Sequence, residues 1–214
     1  MIEDSMNNQR EGQIISLFPT PLYTHKLENK EYTDVQNELQ LVVDNLYSNG
    51  RWGQNPNWNS GTQHLSNKGN FIESILKVED MNITISFIMY HCLAYMKTMQ
   101  VKPKYKPAIE SSWLTLTKPG LYSHIHDHGT SHISGVYWFK TTGQDGDIVF
   151  RNALKALKCN PIGNSLALEA NFSPEQGRIV LFPGYLDHGV NENKTNEDRI
   201  SLSFNILLET GITN

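Results

Sequence analysis

Ser123-His124-Ile125-His126-Asp127-His128 sets three histidines on alternate positions, and sixty residues after His128 another stands in Phe182-Pro183-Gly184-Tyr185-Leu186-Asp187-His188-Gly189. Side chains of a strand alternate between its two faces, so alternate histidines can point the same way and grip one ion. Neutral imidazole is the commonest ligand for iron, zinc and copper. Two from one strand and one from a distant strand make a facial set. On spacing alone His124, His126 and His128 all qualify, while Asp127 between them should face away. His132 stands further along the chain and reads as solvated or packed on a neighbour. His25, His64 and His91 have no partner pattern and take ordinary surface or core readings.

Eleven residues past His188, Arg199-Ile200-Ser201 repeats the alternation and puts Arg199 and Ser201 on one face. A planar guanidinium with a hydroxyl beside it suits a carboxylate. The pair lies across the turn-rich stretch Asn191 to Asp198, on the strand expected to neighbour the His188 strand.

Around these residues the chain reads as short β-like runs: Ile109 to Thr117, Ile133 to Lys140, Asp147 to Arg151, Ser165 to Asn171, Arg178 to Pro183 and Arg199 to Leu208. The first half differs. Val35, Leu39, Val42, Val43 and Leu46 follow helical spacing between Glu31 and Asn49, and Gly50 is a natural stop. A second helix is expected from about Glu79 to Met99. Between the two, Asn49 to Asn70 is rich in Asn, Gly, Ser and Pro and reads as a long loop carrying Trp52 and Trp58, as buried anchors or as a lid. Ile14 to Tyr23, with Pro19 and Pro21, suggests an extended segment at a sheet edge. Helices followed by many short strands give an α+β class with a sandwich or barrel in the C-terminal half.

At 214 residues the chain fits one domain with a sizeable core. We read 1–12 as a loose N-terminus, about 31–100 as helical support and about 108–209 as the β core. A net charge of −4 without adjacent basic residues gives no indication of nucleic-acid binding. Two cysteines without a CxxC pattern, and a polar start lacking a basic and apolar leader, fit a reducing cytoplasm. The most apolar stretch, Ile83 to Met99, is broken by Thr84, Ser86, His91 and Lys97, so it reads as a buried helix and no membrane span is expected.

In these motifs the sequence resembles the Fe(II)- and 2-oxoglutarate-dependent oxygenase superfamily, with the nearest likeness to a branch common in phages and marine bacteria. The likeness rests on His126 to Trp138, Gly146 to Phe150, Phe182 to Val190 and Arg199 to Asn205, with the Trp113 strand and Leu17 to Leu22 also alike. Counted back from Ser134-Gly135, the branch's H-x-H falls on His126 and His128, and counted forward from Gly120, as in prolyl-hydroxylase-like members, the first ligand also falls on His126. Two departures stand out. Gly129 occupies a position where the branch usually has proline, and His128 stands where the wider superfamily has a carboxylate.

The resemblance implies a double-stranded β-helix, or jelly roll, with helices packed on it. It implies Fe(II) held by His126, His128 and His188, and 2-oxoglutarate with its far carboxylate on Arg199 and Ser201. O2 would complete a hydroxylation that releases succinate and CO2. Tyr137 and Asn205 are expected to line the pocket or pack the strands. The substrate is expected to be a small molecule or a peptide side chain, in the cytoplasm or in a phage host's cytoplasm, and a homodimer is left open. Two other readings follow from the same residues: a three-histidine cupin-type iron oxygenase that does not use 2-oxoglutarate, and a non-catalytic metal-binding jelly roll. Because ligating histidine must be neutral, metal affinity is expected to fall below about pH 6.5.

Overall fold

Side-chain alternation on one long strand organises the molecule. The computed structural model describes residues 20–54, 62–64, 74–152 and 168–210. In chain order the elements are β1 (Tyr23–Lys26), α1 (Asn29–Ser48), β2 (Trp52–Gln54), β3 (Thr62–His64), α2 (Ile75–Val78), α3 (Asn82–Thr98), β4 (Tyr105–Thr117), β5 (Ser123–His126), β6 (Ile133–Lys140), β7 (Ile148–Arg151), β8 (Glu169–Phe172), β9 (Arg178–Pro183), β10 (His188–Val190) and β11 (Arg199–Thr210). Seven strands form one sheet in the order β1-β9-β6-β11-β4-β3-β2, and β5-β10-β7-β8 form a second. The central strand β11 pairs antiparallel with β4 and β6.

Along β11, Ile200, Leu202, Phe204 and Ile206 join the core that the sheet shares with α1 and α3. Arg199, Ser201 and Ser203 instead line a cleft between the two sheets. Strand β6 splits the same way. Tyr137 and Phe139 pack with the helices, while Val136 and Trp138 join Val180, Phe182, Ile148 and Phe150 in a second core between the sheets. Two sheets closed face to face, with helices covering the back of the larger one, are the jelly roll with helical support that the resemblance implied. Tyr137 is fully buried and packs into the helical layer rather than lining the cleft, and its hydroxyl accepts a hydrogen bond from Gln36 Nε2 at 2.9 Å.

The helices form for the reasons their spacing gives. Val35, Leu39, Val42, Val43 and Leu46 are the buried residues of α1. Each fully buried aliphatic side chain contributes about 1.5–3 kcal/mol. The helix ends in a left-handed turn: Gly50 has φ 59°, its N–H donates to Tyr47 O, and Arg51 N–H donates to Leu46 O at 2.8 Å. α3 begins at Asn82, three residues later than the spacing predicts. Its first amides, Ile83 and Thr84, donate to the Glu38 carboxylate of α1 at 2.9 and 2.7 Å, a cap supplied from another helix. Glu79 is engaged elsewhere, accepting from Arg51 at 2.7 Å.

Where a loop was expected between Asn49 and Asn70, the described residues form a hairpin. β2 pairs with β3, and β3 with β4. Strands of three residues are too short to show alternation in sequence. Trp52 packs on Tyr47 with ring centroids 5.6 Å apart, in keeping with an anchor. Trp58 lies outside the described residues. β1 occupies a sheet edge, as the prolines before it suggest, although most of Ile14 to Tyr23 is also outside them. Among the described residues no helix is long and apolar enough to cross a membrane.

Candidate metal and carboxylate site

β5 and β10 bring the histidines together. His126 and His188 are direct cross-strand partners, and their rings lie 4.5 Å apart. His128 completes the group: the donor atoms of His126, His128 and His188 lie within 4.8 Å of one another. It does not reach there along the strand, as alternation suggests. β5 ends at His126, and the chain turns through Gly129 at φ 55°, with Gly129 N–H donating to Asp127 Oδ1 at 2.8 Å. Proline cannot adopt that φ, so this turn differs from one built on proline at the same position. His128 N–H donates to Gly184 O at 2.9 Å, which ties the turn to the segment before His188.

His124 falls outside the group because of a β-bulge. His188 pairs with His126 but Val190 pairs with Ser123, so β5 carries one extra residue there and the facing pattern changes phase. His124 is exposed on a separate surface groove, edge-on to Tyr122. His132 is exposed, and its Nδ1 accepts Leu208 N–H at 3.2 Å.

The ring nitrogens are organised for ligation. Nδ1 of His126 lies 2.7 Å from His124 O and Nδ1 of His188 lies 2.8 Å from Leu186 O. A carbonyl only accepts, so both rings carry a proton on Nδ1 and present Nε2 as a lone pair. His128 Nε2 lies 3.2 Å from His188 Nε2. Two nitrogens bound at right angles to one ion at about 2.1 Å lie about 3 Å apart, so the separation fits a shared first-row metal. Burial and the neighbouring histidines push the His188 pKa down to about 3. Burial and His126 push that of His128 to about 4. These two rings therefore stay neutral in the folded protein well below pH 6.5.

Sequence reasoning missed how His128 is steered. Asn205 Nδ2 lies 3.3 Å from His128 Nδ1, while Ser134 Oγ donates to Asn205 Oδ1 at 2.8 Å and Asn205 Nδ2 reaches Ser111 Oγ at 3.1 Å. With the amide this way round, His128 holds its proton on Nε2 and donates it to His188 Nε2. Turning the amide over offers Oδ1 to a His128 Nδ1–H and frees Nε2 as a third lone pair, and both serines can reverse their hydroxyls to match. Trp113 of β4 packs against His128 with ring centroids 5.7 Å apart and lines the cleft.

Arg199 and Ser201 line the same cleft, with Thr115, Thr117 and Tyr122. Arg199 is 3 % exposed. Its Nη1 donates to Asp145 O at 2.7 Å and Gly146 O at 3.0 Å, and its Nη2 to Thr117 Oγ1 at 3.2 Å. Among the described residues no carboxylate lies within salt-bridge distance of it. The Asp145 carboxylate is committed to Thr141 and Thr142, accepting from Thr142 N–H at 2.7 Å. Burial lowers the Arg199 pKa and the charge of Asp145 opposes the change, but an arginine at this depth remains a cation. A buried cation held only by neutral oxygens is costly until an anion joins it.

A jelly roll with a three-histidine group and a buried arginine in one cleft is an arrangement that could hold a metal ion beside an acid. Comparisons with known proteins bear on the family and the fold. A family profile described as "Putative 2OG-Fe(II) oxygenase" matches residues 111–205. No curated protein matches the chain. Among solved structures, a Pseudomonas putida prolyl-4-hydroxylase is similar at 12 % identity, with 87 % of this chain and 92 % of that chain covered and a TM-score of 0.59. HygX from Streptomyces hygroscopicus, solved with nickel and 2-oxoglutarate bound, is similar at 9 % identity, covering 87 % and 82 %, with a TM-score of 0.56. A viral collagen prolyl hydroxylase from Paramecium Bursaria Chlorella virus-1 is similar at 14 % identity, covering 86 % and 94 %, with a TM-score of 0.53. Residues 111–205 thus resemble the 2OG-Fe(II) oxygenase family, and the chain shares the fold of these structures.

Proposed function

We propose that the chain is an Fe(II)- and 2-oxoglutarate-dependent dioxygenase that hydroxylates a small molecule or a peptide side chain, converting substrate, 2-oxoglutarate and O2 into hydroxylated product, succinate and CO2. His126, His128 and His188 would hold the iron, and their donor set fits it. Bound Fe(II) supplies the redox chemistry that couples O2 reduction to oxidation of the keto acid and of a C–H bond. Arg199 would bind the far carboxylate of 2-oxoglutarate as a forked donor, with Ser201 adding a hydroxyl. Val136, Trp138, Ile148 and Phe182 wall the cleft and exclude water from the reacting end. The carbonyls of His124 and Leu186 orient His126 and His188 through their Nδ1 protons.

The observation that carries this reading is the Arg199 cation, buried without a carboxylate partner among the described residues and lining the same cleft as the three histidines. Three neutral histidines leave the full charge of a divalent ion in the cleft, and Arg199 adds one more, so a dicarboxylate is the matching ligand. The peptide-directed activities in the names of two fold neighbours support a side-chain substrate as one class to screen.

The test measures succinate from 2-oxoglutarate with Fe(II), ascorbate and O2. Slow succinate formation without added substrate is expected, abolished when His126 and His188 are both changed to Ala. O2 consumption that is indifferent to 2-oxoglutarate would overturn the proposal in favour of a keto-acid-independent iron enzyme.

A further inference from the structure

A second group of ligand-type side chains stands at the junction of β1, α1 and α3, on residues that the cleft does not use. His25 of β1, Glu31 of α1 and His91 of α3 bring their donor atoms within 4.8 Å of one another. Of these His91 is the fixed member. It is 2 % exposed, and Phe87 and Tyr90 pack edge-on against its ring at 4.7 and 5.1 Å. Tyr23 Oη lies 2.7 Å from its Nδ1. Its Nε2 is buried and has no hydrogen-bond partner among the described residues. A buried polar nitrogen without a partner costs about 1–3 kcal/mol, so its presence calls for a reason.

A ligand supplies one. If His91 Nδ1–H donates to the Tyr23 oxygen, Nε2 is left as a lone pair, the arrangement in which a second partner orients a metal-binding ring. The His25 ring lies against His91 with centroids 4.6 Å apart and planes 28° apart, close to the 5.0 Å and 32° of His128 and His188 in the cleft. Glu31 lines an open groove between α1 and α3 whose walls include Phe87 and Tyr90, so solvent and ions can approach the group. His25 and Glu31 lie towards solvent and can adjust, whereas His91 cannot.

We propose that His25, Glu31 and His91 form a second site for a divalent first-row metal ion, structural in role, which fastens the edge strand β1 to the helical layer. Two imidazoles and one carboxylate are a donor set suited to Zn(II), with solvent completing the coordination. The site lies outside residues 111–205, the part of the chain that matches the oxygenase family, so it is a property of this chain's own helical half.

The test uses Zn(II) alone as the probe, on the full chain with the cleft silenced by His126→Ala and His188→Ala. Equilibrium dialysis with metal analysis is expected to leave one tightly held equivalent, with a melting temperature that rises on adding Zn(II). Adding His25→Ala and Glu31→Gln, both on exposed positions, is expected to remove that equivalent and the thermal shift while circular dichroism stays native. The proposal is overturned if the silenced chain holds no Zn(II). It is equally overturned if Zn(II) binding survives the loss of His25 and Glu31, which would mark it as adventitious binding elsewhere.

Discussion

The two histidine groups have similar ring separations, 4.5–5.1 Å in the cleft and 4.6 Å between His25 and His91, but they differ in what holds them. In the cleft His126 and His188 are anchored through Nδ1 on backbone carbonyls and His128 faces Asn205. In the helical half His91 alone is anchored, and its partners stand on the surface. Closeness alone gives a place where an ion could sit. Fixed tautomers and fixed rings give a place where an ion is held in one geometry, which chemistry on a bound co-substrate requires. The cleft should therefore bind metal more tightly and survive fewer substitutions.

The largest effect that would break this comparison comes from His188→Ala. It should abolish metal binding in the cleft and reduce succinate formation to background, while leaving the Zn(II) equivalent at His25, Glu31 and His91 in place. Metal analysis of the variant checks both halves of that statement. Next comes Asn205→Ala, which removes the group that sets the His128 tautomer. Loss of a residue that orients a metal ligand costs about 10- to 100-fold in affinity, and isothermal titration with Fe(II) under argon reads it. Asn205→Asp, which offers only acceptor oxygens to His128 Nδ1–H, should restore most of the affinity if tautomer control is the role.

A smaller and graded effect is the acid dependence of the metal-free protein. His188 and His128 have folded pKa values of about 3 and about 4, below the 6.5 of the free side chain. The unfolded chain therefore takes up these protons first as pH falls. The stability they contribute is complete above pH 6.5 and is lost progressively from there towards pH 4, by up to about 1.4 kcal/mol per unit for each proton. His91, lowered to about 4 by burial and by His25, acts in the same direction. Melting temperatures of the metal-free chain should fall between pH 6.5 and 4, and less steeply in the His128→Ala, His188→Ala variant. An equal slope in both would show that the cleft histidines do not titrate this way.

Much of this was legible in the sequence, for reasons that differ by region. The α1 stripe and the Gly50 stop were readable because a helix writes its buried face into local spacing. The β core was readable as alternation, and Arg199 and Ser201 do share a face with the cleft. What escaped was non-local. The bulge that removes His124 from the group depends on the register between β5 and β10, and the turn that delivers His128 depends on Gly184 O. The Arg199 cradle is made of the carbonyls of Asp145 and Gly146, about fifty residues earlier in the chain, and carbonyls carry no residue identity. His25 and His91 looked partnerless because 66 positions separate them and only the fold brings β1 against α3.

The central claim is that one cleft holds a metal and a dicarboxylate together. Calorimetric titration of 2-oxoglutarate into the chain, with and without Fe(II) under argon and in wild type and Arg199→Ala, tests it most directly. One equivalent is expected to bind the metal-loaded wild type. Arg199→Ala should weaken that binding about 10- to 100-fold, the value of a charge-assisted hydrogen bond of about 1.5–3 kcal/mol, while Fe(II) affinity measured without 2-oxoglutarate stays the same. Binding of equal strength without metal, or in Arg199→Ala, would contradict the account.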